Sequence, residues 1–194
     1  MKTNLRKRIA ILGSGAGSNA AAICEYALRR DADYAVELIV STNAEAGICS
    51  VARHHSVPLA VIPYDADFAG VLSQELEQRR IDILVLAGFL RLLPVAVIAQ
   101  LHGNVLNIHP ALLPDFGGKG MYGSRVHAAV LAANARTTGA TVHLVTEHYD
   151  EGGIIAQSQI DVPEGITLPE LEQLVKELEH QLYPQSISVF IQKR

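Results

Sequence analysis

The sequence predicts an α/β fold, a three-layer sandwich with a mostly parallel central sheet. Three observations predict it. Short apolar runs rich in β-branched residues alternate with longer segments whose apolar residues recur at helical spacing. A glycine-rich turn, Gly13-Ser-Gly-Ala-Gly-Ser-Asn19, directly follows the first of those runs. The run Ile81-Asp-Ile-Leu-Val-Leu-Ala-Gly88 is apolar enough to be a central strand covered on both faces.

Taken in order, Arg8–Leu12 reads as a buried first strand. After the glycine turn a helix starts with Ser18 or Asn19 as N-cap and carries Ile23, Tyr26, Ala27 and Arg30 on one side. Val36–Ser41 is the second strand, Ala46–His55 a helix, and Leu59–Ile62 a third strand ended by Pro63. Phe68–Arg80 repeats at helical spacing, Ile81–Gly88 is a strand, and Pro94 opens a short helix through Leu101. Val105–Ile108 is the next strand. A glycine-rich loop spans Asp115–Ser124, a helix Arg125–Ala135, and a strand Ala140–Val145. Ile154–Val162 alternates as a strand antiparallel to the one before it. Thr167-Leu-Pro-Glu170 is a capping box that opens a helix, with Leu171, Leu174, Val175, Leu178 and Leu182 as its stripe. Pro184 is expected to interrupt that helix, with Ile187–Phe190 packing back on the core.

Composition narrows the function classes. The chain is 49% hydrophobic and 19% charged, ordinary for a globular domain, and its 194 residues form one domain by default. A net charge of -4 argues against nucleic acid or an anionic membrane as the main partner. Lys2, Arg6, Lys7 and Arg8 precede only Ile9–Leu12, too short a core for a signal peptide. Cys24 and Cys49 read as buried free thiols, which fits a reducing cytoplasm.

Two stretches carry chemistry. Strand, glycine turn and helix start together make an anion site, because glycine lets backbone N–H groups approach a phosphate where the helix dipole favours negative charge. Ser18 stands where a dinucleotide loop needs its third glycine, and no Gly-Lys-Ser/Thr follows, so a monophosphate group fits better. A turn needed only for strand–helix packing remains the other reading. The second stretch is Asn107-Ile-His109, where an amide and an imidazole share one face of a strand end. They supply a hydrogen-bond donor for a developing oxyanion and a group that titrates near neutrality. Alternatively, they cap a strand end that Pro110 and Pro114 terminate.

Five segments in one order resemble the phosphoribosylglycinamide formyltransferase family, the folate-dependent enzymes of purine synthesis. Asn107-Ile-His-Pro-Ala-Leu-Leu-Pro114 is similar to the N-x-H-P-[SA]-L-L-P signature of the formyltransferase superfamily. Gly15-Ala-Gly-Ser-Asn19 resembles the phosphate loop, Leu86-Ala-Gly-Phe-Leu-Arg91 the folate-side segment, Asp150-Glu-Gly-Gly153 the loop with the catalytic Asp, and Glu179-His-Gln-Leu-Tyr-Pro184 the late E-H-x-x-Y-P segment. The likeness runs from Ile9 to about Pro184.

The resemblance implies the formyltransferase fold with a Rossmann-like nucleotide half, about 1–104, and a folate and catalytic half, about 105–194, in one domain, 1–194. It implies transfer of the formyl group of 10-formyltetrahydrofolate, as co-substrate and without a metal, to the amine of glycinamide ribonucleotide. Asn107, His109 and Asp150 are then the catalytic three, with Asp150 raising the pKa of His109. Gly15, Gly17, Ser18, Asn19, Pro110 and Glu179 contact the ribonucleotide. Leu90, Arg91, Leu92 and Leu93, with Asn107, line the pterin side. A cytoplasmic monomer or homodimer, without nucleic-acid or membrane partners, is implied.

The stretch from Pro114 to His127 departs from the family's commonest form by being longer. Both a variant substrate lid with Lys119 near the phosphate and a neutral insertion fit. Phe68-Ala-Gly70 stands where some relatives place an arginine toward the folate tail. His143 either supports the site or packs in the core, and His54, His55, His102, His148 and His180 read as surface or capping residues without zinc spacing. Rival readings are another transferase or hydrolase of the superfamily, and a non-catalytic nucleotide-binding module.

Overall fold

The computed structural model describes residues 6–194; Lys2 of the basic run lies outside them. The chain runs β1 (Lys7–Gly13), α1 (Ser18–Ala27), β2 (Tyr34–Ser41), α2 (Ile48–His54), β3 (Leu59–Val61), α3 (Phe68–Gln78), β4 (Ile83–Leu86), α4 (Val95–Gln100), β5 (Val105–His109), α5 (Ser124–Ala132), β6 (Thr137–Leu144), β7 (Ile154–Asp161) and α6 (Leu168–Gln192). The strands form one sheet in the order β3-β2-β1-β4-β5-β6-β7. The first five are parallel to one another; β6 and β7 pair antiparallel. The predicted α/β sandwich with its mostly parallel sheet is therefore the architecture found.

Alternation along β1 builds the three layers. Ile9 and Ile11 pack on one face with Ile23, Ile48, Tyr183 and Ile187, from α1, α2 and α6. Ala10 and Leu12 point the other way, to Phe68, Leu72, Leu76 and Val97 of α3 and α4. Both faces are buried, as a parallel centre requires.

Three local expectations change. The residue before α1 is Gly17, at φ 85, and not a Ser or Asn cap, because its left-handed backbone turns the chain into the helix. Arg30 lies beyond that helix. Pro184 does not break α6, which runs unbroken through it for 25 residues. Tyr183, Pro184, Ile187 and Phe190 are buried, and Ser186 Oγ donates to the Leu182 carbonyl at 2.7 Å. Tertiary packing there outweighs the bond that proline removes.

Tyr183 ties α6 to β4 and β5 at the middle of the sheet. Its buried hydroxyl lies 2.9 Å from the Leu86 carbonyl and 3.0 Å from that of Leu106. Tyr183→Phe is expected to lower stability by about 1–3 kcal/mol, since the one buried hydroxyl hydrogen between the two carbonyls is lost. A urea midpoint equal to the wild type's would rule the contact out as a support.

Candidate active site

One cleft of about 390 Å³ opens where the carboxyl ends of β4 and β5 meet α6 and the loop before α5. Asn107 and His109 enter it from β5. The Pro110–Leu113 exit is pinned beneath: Thr141 Oγ1 donates to the Ala111 carbonyl at 2.7 Å and accepts the Leu113 N–H at 3.0 Å. Gln157 adds a bond to the Leu113 carbonyl at 2.9 Å.

Asp150 reaches His109 from the loop after β6, its Oδ2 3.5 Å from His109 Nδ1. It sits at φ 60, a left-handed backbone that aspartate tolerates better than most residues. Gly118 N–H donates to the same carboxylate oxygen at 2.9 Å. On the far side of the ring, His109 Nε2 donates to the Phe116 carbonyl at 2.8 Å. Both nitrogens of this 3%-exposed imidazole thus face protein partners.

Burial governs the electrostatics. Desolvation pushes the His109 pKa below its ordinary value, more than Asp150 and the Phe116 carbonyl raise it, and the His143 ring lowers it further. The expected effect of Asp150 is present, since its carboxylate raises the His109 pKa by favouring the charged ring, but burial outweighs it. Burial also pushes the Asp150 carboxyl up, yet its polar neighbours, His109 and the Gly118 N–H among them, hold it below the usual range. Asp150 is the charged member at neutral pH.

His143 settles between its two open readings: the ring is buried, and it touches the site. Its Nε2 lies 3.1 Å from Asn107 Nδ2 and 3.5 Å from Asp150 Oδ1.

Ser18, Asn19, Pro110 and Glu179 line the same cleft; Gly15, exposed, and Gly17, buried, are not part of its lining. Gly17 has a packing reason of its own, since a Cβ there would meet the Ile48 Cα at 2.7 Å. The first bond within α1 runs from Ala21 N–H to the Gly17 carbonyl at 2.9 Å, so the N–H groups of Ser18, Asn19 and Ala20 have no partner inside the helix. Asn19 Nδ2 donates to Glu179 at 3.0 Å.

Burial raises the Glu179 pKa to about 7 against the opposing pull of Asn19 and Lys176. A carboxyl raised in the folded state favours folding most below its unfolded value, and loses that contribution as pH rises through about 7. Glu179→Gln is therefore expected to melt higher than wild type at pH 8 and to match it near pH 4. Equal melting temperatures at pH 8 would count against an ionised, buried Glu179.

Leu90, Arg91, Leu92 and Leu93 also line the cleft. The Arg91 guanidinium stacks 4.7 Å over the Tyr64 ring, whose hydroxyl donates to the Leu92 carbonyl at 2.8 Å. Phe68, where an arginine was in question, is in the core. The glycine-rich loop forms one wall through Gly118, Gly120 and Tyr122, while exposed Lys119 lies outside the lining.

Glu172, Lys176 and His127 line the cleft without having been singled out in the sequence. Glu172, Val175, Lys176 and Glu179 recur at helical spacing on one α6 face, a signal that the apolar stripe alone obscured. His127, buried in α5 with an unpartnered Nδ1, had no such signal.

The sequence profile of the formyl transferase family matches residues 7–187. The chloroplastic phosphoribosylglycinamide formyltransferase of Vigna unguiculata is 39% identical over 194 residues, covering 97% of this chain and 62% of that protein. The chain thus spans less than two thirds of that relative's length. The phosphoribosylglycinamide formyltransferase of Bacillus subtilis (strain 168) is 34% identical over 186 residues, 93% of either chain. The crystal structure of glycinamide ribonucleotide transformylase 1 from Symbiobacterium toebii superposes with a TM-score of 0.90 at 31% identity, covering 100% of this chain and 91% of that one.

Proposed function

Because the chain belongs to the formyl transferase family, we propose that it transfers the formyl group of 10-formyltetrahydrofolate to the amine of glycinamide ribonucleotide in purine biosynthesis. The observation that carries the reading is that Asn107, His109 and Asp150 meet in one cleft that Ser18, Asn19 and Glu179 also line.

The ribonucleotide amine attacks the formyl carbon, and a tetrahedral oxyanion forms. Asn107 donates an amide N–H to that oxygen. The attacking nitrogen loses a proton, the bond from carbon to the folate nitrogen breaks, and that nitrogen gains a proton. Asp150, charged and 3.5 Å from His109, stabilises the imidazolium while the ring, its Nε2 exchanging the Phe116 carbonyl for the substrates, carries a proton between the two nitrogens. No covalent nucleophile is needed.

The ribonucleotide lies toward Gly15, Gly17, Ser18, Asn19, Pro110 and Glu179, with the phosphate at the unpaired N–H groups of α1. The pterin lies toward Leu90–Leu93. In this reading the halves 1–104 and 105–194 belong to one domain: the first brings the phosphate loop and Leu90–Leu93, the second the catalytic residues with Pro110 and Glu179. The cytoplasm, being reducing, suits the free buried thiols of Cys24 and Cys49; among the described residues no helix is long and apolar enough to cross a membrane.

Absorbance of released tetrahydrofolate, followed with and without glycinamide ribonucleotide, tests the proposal. Release only with the ribonucleotide is the expected result. Release without it identifies a hydrolase, and binding without release identifies a non-catalytic module.

A further inference from the structure

We propose that His143 is a positioning residue for this transfer: one hydrogen bond from its ring fixes which way the Asn107 amide faces. The inference rests on the catalytic reading of Asn107 given above.

Asn107 and His143 are directly opposite in the antiparallel β5–β6 ladder. Their contact is therefore set by strand register and not by a loop. His143 is 2% exposed, so its ring nitrogens must find partners within the protein. Nδ1 lies 2.8 Å from the Leu144 carbonyl, which can only accept, so Nδ1 carries the hydrogen. A neutral ring then presents a lone pair at Nε2, 3.1 Å from the Asn107 amide. A lone pair selects the amide nitrogen over the amide oxygen. One Asn107 N–H is taken by His143, and the second is left for the cleft, on the strand face that His109 shares.

The competing arrangement has Nε2–H donating to Asp150 Oδ1. That separation is 3.5 Å, longer than a normal N–H···O bond. It would also set a bare Nδ1 against the Leu144 carbonyl, or demand a second buried charge.

The carbonyl that selects the tautomer is itself held. Leu144 N–H donates to the Gly153 carbonyl at 2.9 Å. Gly152 lies so close that a Cβ there would stand 1.7 Å from the Leu144 oxygen. The Asp150–Gly153 loop thus aims two groups: Asp150 directly, and Asn107 through Leu144 and His143.

Nitrogen-15 NMR of histidine-labelled wild-type protein at pH 7.5, with His143 assigned by its loss in His143→Gln, reads the tautomer directly. A protonated Nδ1 with a bare Nε2 is expected. A hydrogen on Nε2, alone or together with Nδ1, overturns the proposal.

Kinetics tests the consequence. His143→Phe keeps a ring without the acceptor and is expected to lower kcat about 10- to 100-fold, the scale of a misplaced catalytic group. KM for both substrates should stay within about twofold, since the ring is 2% exposed and acts through Asn107. His143→Gln, whose Oε1 reaches roughly to the Nε2 position, should restore most of the rate. The double variant Asn107→Ala with His143→Phe should fall no further than Asn107→Ala alone. A wild-type kcat in His143→Phe, or a double variant showing the product of the two single losses, also overturns it. A wild type inactive with the ribonucleotide would instead sink the functional reading, and the NMR result alone would then decide the amide's orientation.

Discussion

Asn107→Ala is expected to lower kcat about 10²–10³-fold, the usual loss for one oxyanion donor. The side chain is well placed for a selective loss. It sits at the end of a strand paired on both sides, with Leu86 of β4 and His143 of β6 as register partners. The backbone position is therefore held without the amide, and truncation removes the donor while the frame stays. The oxyanion exists only along the reaction path, so the loss should fall on kcat and leave KM little changed. Steady-state kinetics on a folded variant checks this. Near-normal turnover would remove Asn107 from the mechanism.

The second large effect is at Asp150. Asp150→Asn should lower kcat about 10²–10⁴-fold, the range of general acid–base catalysis. Asparagine is the informative choice, because it tolerates the left-handed backbone at φ 60 and changes mainly the charge. The pH dependence carries the sharper signature. Burial already pushes the His109 pKa down, and the Asp150 carboxylate opposes that push. Without the carboxylate the His109 pKa falls further. The alkaline limb of the pH–rate profile, where the protonated ring is lost, should move to lower pH. An unchanged profile would mean that the 3.5 Å separation between His109 and Asp150 has no functional coupling.

What could be read from the sequence follows from which interactions are local. The layers were legible because Ile9 and Ile11 alternate with Ala10 and Leu12, and strand period alone assigns them to opposite faces. The Thr167–Glu170 capping box was legible because both its bonds close within one turn. Pro184 misled because a local rule was applied where long-range burial decides. His143 could be seen to alternate with apolar residues, but its partner could not, since opposition to Asn107 depends on the β5–β6 register. The direction of the His109 shift was hidden for a related reason. Sequence can suggest a carboxylate neighbour, but only the fold reveals a ring that is 3% exposed.

Direct transfer requires that the two ligands meet at Asn107 and His109. Its most direct test follows a radioactive formyl carbon from 10-formyltetrahydrofolate through a single turnover with glycinamide ribonucleotide. The predicted result is label in the formylated ribonucleotide, one for each tetrahydrofolate released, with none on the denatured protein. Label recovered as formate, or bound to the protein, would contradict it.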